Sequence, residues 1–147
     1  MKKFKFSLQN LLDLRAKKLE EKQIEFGKLQ FVMKTLQTQL ENLQNELAAS
    51  SANLESLLAA GSKISVDLIN SNRRHILQKE ADIVNQNRVI EEHKVKLNEK
   101  QNEMIEALKA KTMLEKLKEK QYKNFLKTLD EVERKELDEI GLVRYAR

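Results

Sequence analysis

The residue types that most often carry catalysis or bind metals are few in this sequence, and they are widely spaced. Its only two histidines, His75 and His93, are eighteen positions apart, which corresponds to about 27 Å along a helix and is too far for one metal ion. There is no cysteine. Acidic neighbours such as Glu91 and Glu92 point about 100° apart on a helix, so they do not converge on one substrate. We therefore expect no enzymatic activity, no metal site and no cofactor.

Other ligand classes also lack a matching pattern. The three glycines, Gly27, Gly61 and Gly141, are isolated, so no glycine-rich phosphate loop is present. Residues 1–34 carry nine Lys or Arg against four Asp or Glu. These basic residues alternate with acidic ones, and the five Phe and two Tyr form no stacking platform. A nucleic-acid ligand is therefore not expected.

The composition favours a few long helices. The 147 residues include no Pro and only three Gly, and 35% of them are charged, so most residue types that end helices are scarce. No window approaches the eighteen or more apolar residues that span a bilayer. The first six residues are followed by polar ones and not by a secretory apolar region. We expect a cytoplasmic protein with no direct insertion into the membrane.

Apolar residues recur every seventh position in the first half of the chain. The first line of this pattern is unbroken and consists of Leu12, Leu19, Phe26, Met33, Leu40, Leu47 and Leu54. Three positions further lies a second line, which consists of Arg15, Lys22, Leu29, Leu36, Leu43, Ser50 and Leu57. Two such lines predict the buried seam of a coiled coil.

The second half repeats the period with a weaker pattern. Its first line consists of Ile69, Ile76, Ile83, Ile90, Leu97 and Met104, is lost at Lys111 and Lys118, and returns at Phe125 and Val132. We assigned as its companion the line Arg73, Glu80, Asn87, Lys94, Gln101, Leu108, Tyr122 and Leu129. His93 falls beside this seam and is predicted to be a packed or half-exposed helix residue.

Between the two patterns lies a short interruption with a terminating Gly61 and a helix-capping Ser65. A short loop between two helices makes them antiparallel neighbours. We therefore predict an all-α fold, a long antiparallel two-helix coiled-coil hairpin forming a single domain over residues 1–147. Helix one is predicted at about 7–59, the loop at about 60–65 and helix two at about 66–140.

Two apolar surfaces remain outside the predicted seam. Helix two extends past the start of helix one, which leaves six residues without an intramolecular partner: Phe125, Leu126, Leu129, Val132, Leu137 and Ile140. In helix one, Ile24 and Phe31 lie on the face opposite the seam. Single exposed apolar residues are common, but this concentration near the chain ends predicts binding to other proteins.

The chain ends resemble those of a known family. The amino end has Phe4, Phe6, Leu8, Leu11, Leu12 and Arg15 in the order Phe-x-Phe-x-Leu-x-x-Leu-Leu-x-x-Arg. The carboxyl end has Lys135 to Ile140 in the order Lys-Glu-Leu-Asp-Glu-Ile, followed by Arg144. Both patterns, the length and the loop position are similar to the flagellar export protein FliJ family.

The resemblance implies a non-enzymatic stalk and adaptor of the flagellar type III export apparatus. Its implied partners are the export ATPase hexamer, whose assembly it promotes, the cytoplasmic domain of the export gate membrane protein, and export chaperones. Its implied location is cytoplasmic, peripheral to the inner face of the membrane at the flagellar base. We expect the isolated protein to be monomeric.

The resemblance also suggests site residues at both ends of the hairpin. The ATPase-binding candidates are Phe4, Phe6, Leu11, Arg15, Leu137, Asp138, Glu139 and Arg144. The gate-binding candidates are taken from residues 37–58 and 64–76, which carry little charge, and are Gln39, Leu43, Leu54, Leu58, Ile64 and Ile69.

Three alternatives stay open at the level of sequence. An equivalent stalk of a virulence-type secretion system would have the same fold and the same kind of partner. A self-associating structural rod would need complementary seams between chains, which sedimentation would reveal. A nucleic-acid-binding hairpin would show binding that falls steeply with salt.

Overall fold

The structure is a computed structural model that describes residues 3–59 and 66–146. It contains two helices, α1 (Gln9–Ala59) and α2 (Val66–Tyr145), and no strand within those two ranges. The fold class is the predicted one, an all-α coiled-coil hairpin of two antiparallel helices. The predicted loop, with Gly61 and Ser65, lies outside the described residues.

The ends of the helices follow from local chemistry. Before α1, the backbone N–H of Gln9 donates to the carbonyl of Phe6 at 3.1 Å, which closes a turn at residues 7 and 8. Asp67 lies in the first turn of α2 and Arg144 in its last turn, where these charges complement the helix dipole. Gly141 does not terminate α2, which continues to Tyr145.

The structure divides into two packed units, which we describe separately. The first unit contains the described residues up to Gln23 and from Glu103 onward. Here the Nζ of Lys118 donates to the Oε1 of Gln9 at 2.7 Å, and an Arg15 guanidinium nitrogen donates to the carbonyl of Ala110 at 2.9 Å. The partner numbers fall on one helix as they rise on the other, so the two chain segments of this unit are antiparallel.

The second unit contains the described residues between Ile24 and Asn102. The side-chain amide of Asn72 donates to the carbonyl of Ser50 at 3.3 Å, and the Nε2 of His93 lies 2.8 Å from the carbonyl oxygen of Leu29. These pairs again run in opposite directions, so this unit is also antiparallel. His93 is half-buried, as predicted from its place beside the seam.

The helix-one seam lies where the heptad pattern predicts it. Every residue of both predicted lines in α1 is buried or half-buried, with Leu12, Leu19 and Met33 the most buried. The first line of α2 is also covered, from Ile69 to Phe125. Lys111 and Lys118, where the apolar pattern of this line is interrupted, are also half-buried on the seam.

The companion line predicted for α2 is wrong by one residue. Its members are exposed from Arg73 to Tyr122, and of the whole line only Leu129 is half-buried. The covered residues lie one position earlier and consist of Asn72, Lys79, Gln86, His93, Lys100, Ala107, Leu114 and Gln121. The sequence does not separate the two lines because both are polar from residue 72 to residue 101.

Candidate protein-binding surfaces

The second unit has a polar line along its seam that the sequence analysis missed. Asn72, Lys79, Gln86, His93 and Lys100 follow one another at seven-residue intervals on α2, and each reaches a group of α1. Polar residues at seam positions fix register and association state at some cost in stability. The signal for this line was its constant spacing three residues after the isoleucine line.

These five residues use α1 in two ways. Asn72, Gln86 and His93 form hydrogen bonds with backbone carbonyls of α1. The amide of Gln86, for example, donates to the carbonyl of Leu36 at 2.9 Å. Lys79 and Lys100 instead form ion pairs with Glu46 and Glu25. The hydrogen bond and the charge of Glu46 raise the pKa of Lys79 above its usual value, although partial desolvation acts the other way. Each seam polar group therefore has an intramolecular partner.

At the amino end, the segment before α1 packs against α2. Phe6 is only 7% exposed and forms a small core with Leu12 and Leu114, and Phe4 packs against that core. The Phe4 ring centroid lies 5.3 Å from that of Tyr122 and 5.6 Å from that of Phe125. Such offset aromatic pairs contribute beyond their buried area.

This packing gives most of the ATPase-binding candidates at the amino end an internal partner. Phe6 is part of the core, Phe4 is half-buried, and the Arg15 guanidinium is bonded to the Ala110 carbonyl. Leu11 is exposed. The expectation that Phe125 and Leu129 are uncovered is wrong, because the segment before α1 reaches Phe125 and Leu129 is half-buried. The role of these residues in binding a partner stays a prediction.

The carboxyl end of α2 is the largest uncovered helical segment within the described residues. All residues from 130 to 146 are exposed, and a shallow depression is lined by Glu136, Glu139, Ile140, Val143 and Arg144. Leu137 is 67% exposed and Tyr145 is 95% exposed. A helical segment that combines this much apolar surface with charge is typical of a protein-binding site.

The structure separates the two groups of ATPase-binding candidates along α2. Phe4 contacts Phe125, and Leu137 lies twelve residues further along the helix, which corresponds to about 18 Å. Leu137, Asp138, Glu139 and Arg144 share the exposed segment, whereas Phe4 and Phe6 belong to the packed part of the same unit. The sequence analysis missed three further apolar residues of that segment, Leu142, Val143 and Tyr145.

The gate-binding candidates lie mostly on the seam. Leu43, Leu54 and Ile69 are half-buried against the opposite helix, and Leu58 is exposed. Gln39 is exposed and accepts a hydrogen bond from Gln86 at 3.2 Å. Ile64 lies outside the described residues. The exposed apolar residues of this unit on α2 were not among the candidates and include Val66, Leu68, Leu77 and Val84.

Two other kinds of site have no counterpart in the described ranges. No group of three or more His, Asp or Glu side chains among residues 3–59 and 66–146 is placed to hold a metal ion. Neither α1 nor the described part of α2 contains a stretch apolar enough to cross a bilayer. The arrangement supports binding through helical surfaces.

Comparison with known proteins identifies the family. A search of curated proteins and a search of solved structures gave no match. A family model described as "Flagellar FliJ protein" matches residues 4–147, which is nearly the whole chain and includes both terminal patterns. The chain therefore belongs to the flagellar FliJ protein family.

Proposed function

We propose that this protein is a non-enzymatic stalk and adaptor of flagellar protein export, which binds the export ATPase through the exposed end of α2. Membership in the FliJ family implies a role in the flagellar export apparatus. The observation that carries the finer proposal is the segment from residue 130 to 146, in which every residue is exposed.

The chemistry of this segment suits insertion between the subunits of a ring. Leu137, Ile140 and Val143 offer apolar surface, and Asp138, Glu139 and Arg144 offer charge of both signs on the same helical end. Exposed charges add little affinity by themselves. We therefore assign most of the binding energy to the apolar residues and the choice of orientation to the charged ones.

Binding at this end would act on the ATPase by linkage. A stalk that contacts several subunits at once binds the closed hexamer better than it binds separate subunits, so mass action favours ring assembly. ATP hydrolysis belongs to the partner in this scheme. The other end of the hairpin would contact the cytoplasmic domain of the export gate, and the stalk would also bind export chaperones. In this scheme the protein would act in the cytoplasm, peripheral to the inner face of the membrane at the flagellar base.

The test measures the ATPase rate and the oligomeric state of the cognate flagellar export ATPase with and without this protein. We expect a higher rate and a larger hexamer fraction, and both should be lost with Leu137→Asp. The matched control is Leu77→Asp, because Leu77 is 64% exposed on the same helix in the second unit. No effect of saturating wild-type protein, or an equal loss with both variants, would refute the proposal.

A further inference from the structure

One exposed surface of α1 has no role in the fold or in the proposed function. It consists of Ile24, Gly27, Lys28, Phe31 and Lys34, which we call the Phe31 surface. All five belong to the second unit and lie on the side of α1 away from the seam. Ile24 is 53% exposed and Phe31 is 72% exposed. Residues at i, i+3, i+4 and i+7 share one face of a helix, so these side chains are neighbours.

Gly27 is an unusual residue for the position it occupies in this surface. It lies in the interior of α1, where glycine costs about 1 kcal/mol relative to alanine. A Cβ added to it would meet no atom within 4 Å. No contact within the described chain therefore explains its small size. Between Ile24 and Phe31 the missing side chain leaves a notch in the exposed face of α1.

The charge around Phe31 is of one sign. Lys28 and Lys34 lie three positions before and three after it, and no Asp or Glu occurs from residue 26 to residue 40. Neither lysine ammonium group has a hydrogen bond or ion pair among the residues that the structure describes. The carboxylates on the opposite helix at this level, Glu91 and Glu92, pair with cations of α2 itself.

The two threonine hydroxyls on this side of α1 are already bonded. The hydroxyl of Thr35 donates to the carbonyl of Phe31 at 3.1 Å, and that of Thr38 donates to the carbonyl of Lys34 at 3.0 Å. This surface therefore lacks apolar contacts for Ile24 and Phe31 and negatively charged partners for the two lysines. A second copy of this surface would bring lysine against lysine, which opposes self-association through it.

We infer that the Phe31 surface binds an acidic amphipathic helix of a partner protein. The partner's apolar face covers Ile24 and Phe31, one of its side chains enters the notch at Gly27, and its flanking carboxylates pair with Lys28 and Lys34. This is the helix-packing geometry in which knobs of one helix fill holes of another. The surface shares no residue with the candidates for the ATPase or the export gate, so its test does not depend on either of those two interactions.

The probe is a labelled 21-residue peptide of three heptads with Leu at the a and d positions and Glu at e and g. Its control is the same peptide with Lys at e and g. Fluorescence anisotropy with the full-length protein measures both affinities. We expect the acidic peptide to bind at least tenfold more tightly than the basic one, with an affinity that falls as salt increases.

Three variants locate the binding. Phe31→Ser should weaken binding of the acidic peptide at least tenfold. Val84→Ser should leave that affinity unchanged and serves as the control, since Val84 is similarly exposed on the other helix of this unit. Gly27→Leu should also weaken binding at least tenfold by filling the notch. Leucine favours helix more than glycine does, so circular dichroism should show that this variant keeps its helicity. A loss of peptide binding by a variant that stays helical cannot come from unfolding.

Several results would overturn the inference. Equal binding of both peptides, or equal affinity for wild type and Phe31→Ser, would show that the peptide binds elsewhere, for example by invading the seam. Binding to vesicles of phosphatidylserine and phosphatidylcholine that depends on Phe31, without peptide binding, would identify a membrane-facing surface instead. Wild-type self-association in sedimentation that Phe31→Ser abolishes would identify a second copy as the occupant.

Discussion

Replacing Gly27 with alanine should stabilise the protein, and the size of the effect follows from the structure. Gly27 lies eighteen residues after the start of α1 and far from its end, so the fraying of helix ends does not apply. A methyl group there would meet nothing within 4 Å. The full difference in helix propensity, about 1 kcal/mol, should therefore appear in the free energy of unfolding. For a chain of this size that corresponds to about 3 °C in Tm.

Urea-induced unfolding followed by circular dichroism at 222 nm measures this change. The midpoint should rise while the slope of the unfolding free energy against urea stays the same. Gly141→Ala is the matched control, because Gly141 also has nothing within 4 Å but lies four residues before the end of α2. Its gain should be under about 0.3 kcal/mol, since helix ends open locally. An unchanged or lowered midpoint for Gly27→Ala would refute the reasoning that Gly27 is an uncontacted residue in a helix interior.

The same structure makes three further predictions. Phe6→Ala should lower the unfolding free energy by about 3 kcal/mol because it empties the amino-terminal core, whereas Leu137→Ala should change it by less than about 0.5 kcal/mol; equal effects in urea titrations would contradict this. Gln86→Leu should raise the unfolding free energy by about 1 kcal/mol and produce concentration-dependent self-association in sedimentation, since the seam loses a polar residue; a destabilised monomer would contradict it. The pKa of Lys79 is raised in the folded state. Its contribution to the free energy of unfolding is therefore complete below the pKa of the unfolded state, about 10.4, and is lost as pH rises through the higher pKa of the folded state. The Tm difference between wild type and Glu46→Gln should therefore be constant from about pH 7 to pH 9 and close above about pH 10.4; a difference that persists at higher pH would contradict this.

The fold could be predicted wherever the seam is apolar. The unbroken line from Leu12 to Leu54 determines which face of α1 is covered, and the isoleucines from Ile69 to Ile90 do the same for α2. The companion line of α2 could not be chosen in this way. Residues at +3 and +4 from each isoleucine are both polar in this region, and only the contacts with α1 distinguish Gln86, which bonds Leu36, from the exposed Asn87.

The candidate site was predicted less well, for a physical reason. Phe4 and Phe6 precede α1 in a non-helical segment, and heptad spacing gives no information on where such a segment folds back. The sequence therefore does not reveal that one of these two ATPase-binding candidates, Phe6, lies in the core. The carboxyl end is easier to predict. The heptad pattern of the second half is longer than that of the first, so α2 is expected to extend past the start of α1. That end extends further than expected because Gly141 does not stop the helix.

Site-specific cross-linking from the end of α2 tests the central claim most directly. A photoreactive phenylalanine analogue would replace Ile140 in cells that assemble flagella, and the same analogue would replace Leu77 as the control. If the exposed end of α2 binds the export ATPase, irradiation will cross-link the protein to that ATPase from position 140 and not from position 77. No ATPase adduct from position 140 in a protein that still supports motility would contradict the account.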